Sequence, residues 1–361
     1  MYIKLDKLNI PRSKTGKELI GTREMAAFFT SSRSCVYLGM LICVLGYQAA
    51  SSSAQDVSSL SLSYYDKRCP TAQQIVRKEM DCAVRNNPRN AAAMLRLHFH
   101  DCFVQGCDGS VLLDDTVTQV GEKTAYQNLN SLIGFDLVDR IKNQLEGECP
   151  GVVSCADLLA IGARDAVLLV GGPYWDVPVG RKDSKTVSLD LANTDLPAPN
   201  QNLVTLVSNF LGKGLSVQDM VALLGSHTIG LARCVNFRDR IYGDFEITSH
   251  NDLTSQAYLS KLQSSCPESS HDNNLSPLDY VSPNVFDNVF YESVLKGQGL
   301  LNSDQELYSS LVGFETSDLV KTYAADPLIF FQHFSDAMVK MGNITNPEGG
   351  EVRKNCRFIN S

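Results

Sequence analysis

Cysteine constrains this chain more than any other residue. Eleven are spread over 361 residues, at positions 35, 43, 69, 82, 102, 107, 149, 155, 234, 266 and 356. Exported chains pair their cysteines, and each pair excludes every fold that holds its two Cα atoms more than about 7 Å apart. The N-terminal region argues for export. Cys35 to Tyr47 is an apolar run of thirteen residues, preceded by Arg33 and followed by the small-residue stretch Ala49-Ala-Ser-Ser-Ser-Ala54. Basic flank, short apolar centre and small-residue exit are the parts of a secretory signal peptide, and the run falls short of the roughly 20 apolar residues of a membrane span. The expected organisation is an N-terminal extension over 1–24, polar and without a folding pattern, a signal peptide over 25–54 and one domain over 55–361. Two cysteines leave with the signal. Of the nine that remain an even set should pair and one should be left over, and spacing alone does not choose the pairs.

At 43% hydrophobic and 20% charged residues the chain can build a sizeable core, which excludes a disordered or low-complexity class. The net charge is −8, and processing would leave 25 Lys and Arg against 37 Asp and Glu, about −12. An acidic domain without a basic patch argues against nucleic-acid binding, which depends on neutralising phosphates. Two glycosylation acceptors, Asn274-Leu-Ser276 and Asn343-Ile-Thr345, agree with export.

Beyond residue 60 the pattern is helical. Ile75, Val76, Met80, Ala83 and Val84 share a face, with a capping box expected at Thr71-Ala-Gln-Gln74. Asn90 is expected to cap a helix running to His100, and a long apolar helix is expected from Gly151 to Leu169, stopped by Gly171-Gly-Pro173. Ser216-Val-Gln-Asp219 opens a helix expected to reach His227, and Asp326-Pro327 opens one over Leu328 to Met341. The best strand candidate is Trp175 to Val179, weakened by Pro178. The fold class is all-α, with about ten or more helices joined by long loops.

His100 follows Arg96 by four residues, on one helical face, with Phe99 beside them; His98 points elsewhere and reads as a hydrogen-bonded core histidine. His227 lies among the small residues Gly225, Ser226 and Gly230, which leave room for something flat to approach. Directly after His100, Asp101-Cys-Phe-Val-Gln-Gly-Cys-Asp-Gly-Ser110 alternates oxygen donors around two glycines, a pattern suited to calcium.

These segments resemble the secretory plant haem peroxidases, class III. The matching stretches are Leu95-Arg-Leu-His-Phe-His-Asp-Cys102, Gly106-Cys-Asp-Gly-Ser110, Val153-Ser-Cys-Ala-Asp157, Gly180-Arg-Lys-Asp183, Leu223-Leu-Gly-Ser-His-Thr-Ile-Gly230 and Gly299-Leu-Leu-Asn-Ser-Asp-Gln-Glu-Leu307, in family order over nearly all of the expected domain. The resemblance implies a fold of distal and proximal halves enclosing one haem b. It implies His227 as proximal iron ligand backed by Asp304, His100 as distal general base, and Arg96 as the charge that assists O–O cleavage. Asn128 would keep His100 basic, Glu122 would be the acid linked to Asn128, and Phe99 would restrict donors to the haem edge. Pro197 would lie at the donor site.

The same resemblance implies two calcium ions, a distal one on Asp101, Val104, Gly106, Asp108 and Ser110 and a proximal one on Thr228, Asp279, Ser282, Val285 and Asp287. The implied disulfides are Cys69–Cys149, Cys102–Cys107, Cys155–Cys356 and Cys234–Cys266. Cys82 is then left over, and its place seven residues after Ile75 predicts a partly buried thiol. The implied activity is reduction of hydrogen peroxide coupled to one-electron oxidation of small phenolic donors, as a monomer in the extracellular space or cell wall rather than the vacuole, with no stable membrane association. Phe99 and the signal argue against an intracellular ascorbate- or cytochrome-type peroxidase. Retention of Arg96, His100 and His227 argues against a non-enzymatic wall- or calcium-binding protein.

Overall fold

A computed structural model describes residues 60–243, 253–346 and 350–361; the expected extension and signal peptide lie outside the described residues. Thirteen α-helices follow in order: α1 (Ala72–Asn86), α2 (Arg89–Phe103), α3 (Phe135–Glu148), α4 (Cys155–Leu169), α5 (Leu189–Asp195), α6 (Leu203–Gly212), α7 (Val217–Leu224), α8 (Arg238–Tyr242), α9 (Leu253–Ser265), α10 (Val289–Leu295), α11 (Asn302–Ser309), α12 (Phe314–Ala325) and α13 (Pro327–Gly342). Among the described residues the one sheet pairs β1 (Leu231–Arg233) with β2 (Leu275–Pro277), antiparallel, with Ala232 opposite Ser276. The expected strand at Trp175 to Val179 does not form. Only Val179 pairs there, in an isolated bridge to Ser61, because Pro178 lacks an amide to continue a ladder.

Helix α4 is the axis of the first half. It is buried from Cys155 to Val167 and packs on both α1 and α2. A helix buried on every side sits inside a core, and its charged members Arg164 and Asp165 pair there at 2.7 Å. Its N-terminus explains two of the sequence motifs. The Ser154 hydroxyl caps Asp157 N, and the fully buried Asp183 carboxylate accepts from Cys155 N (3.0 Å) and Ala156 N (2.9 Å). A carboxylate there satisfies orphan amides and suits the positive end of the helix dipole. Asp157 in turn accepts from Tyr65 OH (2.6 Å) and Arg181 Nη1 (2.8 Å). Arg181 Nε and Nη2 reach the Gly342 carbonyl at the end of α13, joining the two halves.

In the second half α13 packs on α7, and α10 on α12. A smaller cluster of Phe237, Ile241, Leu262, Leu300 and Leu301 lies by the β-pair.

The local details differ from the sequence reading where tertiary packing decides. Thr71 has helical dihedrals (φ −89°, ψ −3°) and makes no cap, its hydroxyl buried without a partner. Asn90 lies inside the first turn of α2, which starts behind Pro88, and donates to the Ala83 carbonyl (2.9 Å) instead of capping. α4 begins at Cys155, not Gly151, and α7 ends at Leu224, with His227 in a separate 3₁₀ turn, Gly225–Thr228. The caps at Ser216 and Asp326 form. Among the described residues the thirteen helices agree with the expectation of ten or more, several of them being short.

Among the described residues four disulfides close, Cys69–Cys149, Cys102–Cys107, Cys155–Cys356 and Cys234–Cys266, the pairs the resemblance implies. Cys82 is free but exposed, against the expectation of partial burial. The buried stripe of α1 is Ala72, Val76, Met80, Ala83 and Val84, whereas Ile75 sits at its margin and Cys82 falls outside it.

Candidate active site

Helix geometry places Arg96 and His100 one turn apart, and α2 turns both into one cavity of about 800 Å³ that His227 also lines. The His100 Nδ1 lies 2.6 Å from Asn128 Oδ1, and Arg96 Nε donates to His100 Nε2 at 3.1 Å. The amide oxygen can only accept, so Nδ1 carries the proton and Nε2 presents a lone pair. Burial, then the neighbouring Arg96 charge, pushes the His100 pKa well below its ordinary value, against the opposing bond from Asn128. A neutral imidazole aimed into a cavity is a poised base. Burial lowers Arg96 to about 10, which leaves it cationic at neutral pH. Its fork is held by the carbonyls of Gln127 (2.8 Å) and Ser131 (3.0 Å) and by the Ser131 hydroxyl (3.1 Å). Sequence reasoning missed Gln127 and Ser131, and it had no signal for them, because two of the three acceptors are backbone carbonyls.

Asn128 is fixed from behind by Glu122, through the main chain. Asn128 Nδ2 donates to the Glu122 backbone carbonyl at 2.8 Å. The link between Glu122 and Asn128 thus runs through the main chain, and the Glu122 carboxyl points elsewhere. One carboxyl oxygen accepts from Ser188 N (3.3 Å), and the other is buried without a partner. Burial raises this carboxyl to about 8. Phe99 lines the cavity and meets the His100 ring edge-on at 5.3 Å. His98 faces away, buried against the Cys102 sulfur (3.6 Å), with its pKa lowered to about 3 by burial and by Arg181.

On the other segment His227 Nδ1 lies 2.7 Å from the fully buried Asp304 Oδ1. Asp304 is the third residue of α11, and its second oxygen accepts from Leu301 N (3.3 Å), so the helix N-terminus fixes the carboxylate that fixes the histidine. With Nδ1–H donated, Nε2 is free to ligate a metal. Leu223, Leu224, Ile229 and Phe210 add apolar wall, and Gly230 (φ +105°) keeps it low, since a Cβ there would sit 3.1 Å from Ala92 Cβ. Pro197 lines the same cavity. Its loop is pinned by Ser303 N donating to the Pro199 carbonyl (3.1 Å). A broad apolar slot with one free imidazole nitrogen fits a flat metallo-macrocycle.

Both oxygen clusters come together. In the distal one the buried Asp101 Oδ2 accepts from Gly109 N (2.9 Å), while Asp101 Oδ1 and Ser110 Oγ are buried with no partner. Asp108 Oδ1 accepts from Ser110 N (3.0 Å). Burial pushes both carboxyls up, Asp101 also through its neighbour Asp108. Buried, unpartnered hard oxygens around two carboxylates fit a hard cation. Val104 and Gly106 lie in the same turn, with Gly106 at φ +98°. In the proximal cluster Thr228 Oγ1 and Ser282 Oγ each stand 3.1 Å from Asp287 Oδ1. Thr228 Oγ1 is also 3.5 Å from Asp279 Oδ2 and from the Val285 carbonyl.

A mostly helical shell that turns a cation-backed neutral histidine and an aspartate-backed histidine into one slot defines the haem peroxidase class. The family model described as peroxidase matches residues 76–326. Peroxidase 11 of Arabidopsis thaliana is 61% identical over 307 residues, 84% of this chain and 91% of the relative. Peroxidase 4 of Vitis vinifera is 49% identical over 321 residues, covering 88% and 96%. Peroxidase 70 of Zea mays is 47% identical over 335 residues, covering 92% and 99%. The chain belongs to the secretory plant haem peroxidases, class III, enzymes that oxidise substrates at the expense of hydrogen peroxide. Membership implies haem and calcium as its bound groups. Among the described residues no helix is long and apolar enough to cross a membrane.

Proposed function

We propose that this peroxidase acts outside the cell, reducing hydrogen peroxide to water while two phenolic donor molecules each give up one electron and one proton and leave as phenoxyl radicals. The observation that carries the reading is the His100 geometry, a neutral imidazole whose acceptor nitrogen meets Arg96 at 3.1 Å in the cavity His227 lines. Haem b, when bound, would supply redox-active iron, and hydrogen peroxide is the two-electron oxidant. His227 Nε2 would hold it from the proximal side. His100 Nε2 takes the first proton of peroxide and returns it to the departing oxygen, so water leaves instead of hydroxide. Arg96 keeps a cation where negative charge develops. Asn128 holds the tautomer, Asp304 fixes His227, Phe99 narrows the approach, and Pro197 borders the donor entrance. Asp101, Val104, Gly106, Asp108 and Ser110 would hold one calcium, and Thr228, Asp279, Ser282, Val285 and Asp287 another, each bracing one histidine segment.

The donors are those of phenolic wall metabolism, such as coniferyl alcohol, sinapyl alcohol and guaiacol, and the location is the extracellular space or wall, reached by removal of residues 1–54 to leave a monomeric domain over 55–361. Asn343 and Asn274, both exposed, are the glycan acceptors. The test is His100→Leu. Haem uptake should be retained, and the spectral change on adding peroxide should slow by at least about 10²-fold, the scale of a general acid–base contribution. Unchanged kinetics in that variant would remove His100 from the mechanism.

A further inference from the structure

We infer that residues 344–346 and 350–356, together called the strap, are part of the distal cation site, and that their Asn346 and Arg353 hold the calcium loop from outside. The inference rests on the calcium reading above and extends it to residues that no oxygen-ligand pattern includes.

Four observations converge on loop 106–109. The Cys107 amide donates to the Ile344 carbonyl at 2.7 Å. Asn346 Nδ2 donates to Asp108 Oδ2 at 2.7 Å, the carboxylate oxygen left over when Ser110 N binds Oδ1. Arg353 Nη2 donates to the Gly109 carbonyl. Gly106 meets the strap so closely that a Cβ would stand 2.9 Å from the Ile344 oxygen and 2.9 Å from the Thr345 carbonyl carbon. Loop and strap thus pack backbone on backbone at a point where φ is +98° and only glycine fits.

The far end of the strap is anchored independently. Glu351 and Asp183 exchange both backbone hydrogen bonds, at 2.9 and 2.8 Å, and Cys356 is bonded to Cys155 at the head of α4. Arg353 is wholly buried, with its charge beside the wholly buried Asp183 carboxylate, 3.9 Å from Nε to Oδ2. Its Nε and Nη1 are buried without hydrogen-bond partners, so the Asp183 charge and the Gly109 carbonyl hold the guanidinium. Asn346 and Arg353 touch the loop on its outer side, at Asp108 Oδ2 and the Gly109 carbonyl, and so fix ligand geometry without occupying the unpartnered Asp101 and Ser110 oxygens. Binding free energy is reciprocal. If the strap orders the loop for calcium, calcium must order the strap by the same factor.

The test uses the complete holoenzyme. Calcium content and its release to a chelator are measured for wild type, Asn346→Ala and Arg353→Lys, and amide hydrogen exchange is followed before and after chelation. Asn346→Ala leaves the half-buried turn free of steric conflict and keeps the variant series informative if Arg353→Lys does not fold. Loss of a hydrogen bond to a charged acceptor should speed distal calcium release about tenfold or more. Chelation should raise exchange at Cys107, Asp183 and Glu351 in wild type by a comparable factor. Rapid calcium loss and strap exchange in Asn346→Ala with an unchanged Soret band before chelation supports the strap. If wild type releases calcium and neither the exchange of these amides nor the release rate in Asn346→Ala changes, the strap is overturned while the cation site stands. If wild type holds no calcium at Asp101 and Asp108, the cation site itself fails and the strap with it.

Discussion

Asn128 carries a role that its chemistry makes separable from structure. Its oxygen holds His100 Nδ1 at 2.6 Å, and its nitrogen is tied back to the Glu122 carbonyl at 2.8 Å. Asn128→Val should leave haem uptake intact and slow the peroxide-driven spectral change by about 10²-fold, because the imidazole loses the partner that fixes its tautomer. The sign of the pH effect follows. The bond from Asn128 raises the His100 pKa, which burial and Arg96 otherwise depress. The base is active when neutral, so the rate falls in acid as pH drops through that pKa. Removing the bond lowers the pKa further and moves the acid limb to lower pH beneath a reduced plateau. A stopped-flow pH series reads both, and a limb moving to higher pH would contradict the assignment. The pairing of Arg96 with His100 was legible from sequence because four residues on a helix is a local relation. The direction of the Glu122 carboxyl was not. It depends on Ser188, sixty-six residues away, and no local pattern encodes which face of a 3₁₀ turn a distant segment will cover.

At the scale of the element, α7 delivers the His227 turn, and its first turn is tied across to α13. Ser216 and Asp219 form a reciprocal cap, and Lys340 Nζ on α13 donates to Asp219 Oδ1 at 2.7 Å. Burial alone would raise the Asp219 carboxyl. The Lys340 ammonium and the Ser216 hydroxyl and amide outweigh it and hold the pKa below the ordinary value. A depressed carboxylate contributes stability that is complete above its unfolded pKa of about 3.9 and is lost as pH falls through the folded value. Lys340 is half exposed, so Lys340→Met should cost about 1 kcal/mol at pH 7 and progressively less at an acid pH below the unfolded value of about 3.9. Urea unfolding at the two pH values measures the difference, and an equal gap at both would contradict the linkage. This cap was readable because Ser216 and Asp219 satisfy one another within a single turn. Thr71 and Asn90 carry the same residue chemistry and do not cap. Pro88 takes the N-cap of α2, and Asn90 finds the Ala83 carbonyl of the preceding helix. Helix faces and long helices were legible, whereas these starts were set by neighbours.

For the whole molecule the constraint is the cysteine network, and its connectivity is a property of the fold. Nine cysteines admit many pairings, and spacing separates none of them; only packing of the C-terminal strap against the head of α4 brings Cys356 to Cys155. That bond spans 201 residues, against five for Cys102–Cys107. In the chain-entropy account the long closure restricts the unfolded chain by about 5 kcal/mol and the short one by about 2 kcal/mol. Replacing Cys155 and Cys356 together by Ala should therefore lower Tm more than replacing Cys102 and Cys107, provided calcium is kept saturating so that loop ordering is not tested at the same time. Cys82 belongs to no pair and stands exposed on α1. The processed native chain should show one rapidly reacting thiol, unfolding without reductant should reveal no second one, and Cys82→Ser should abolish the reaction while changing the unfolding free energy by no more than the roughly ±0.5 kcal/mol of an ordinary surface substitution. A slow native thiol would return Cys82 to the buried face of α1, and two thiols on unfolding would open one of the four bonds.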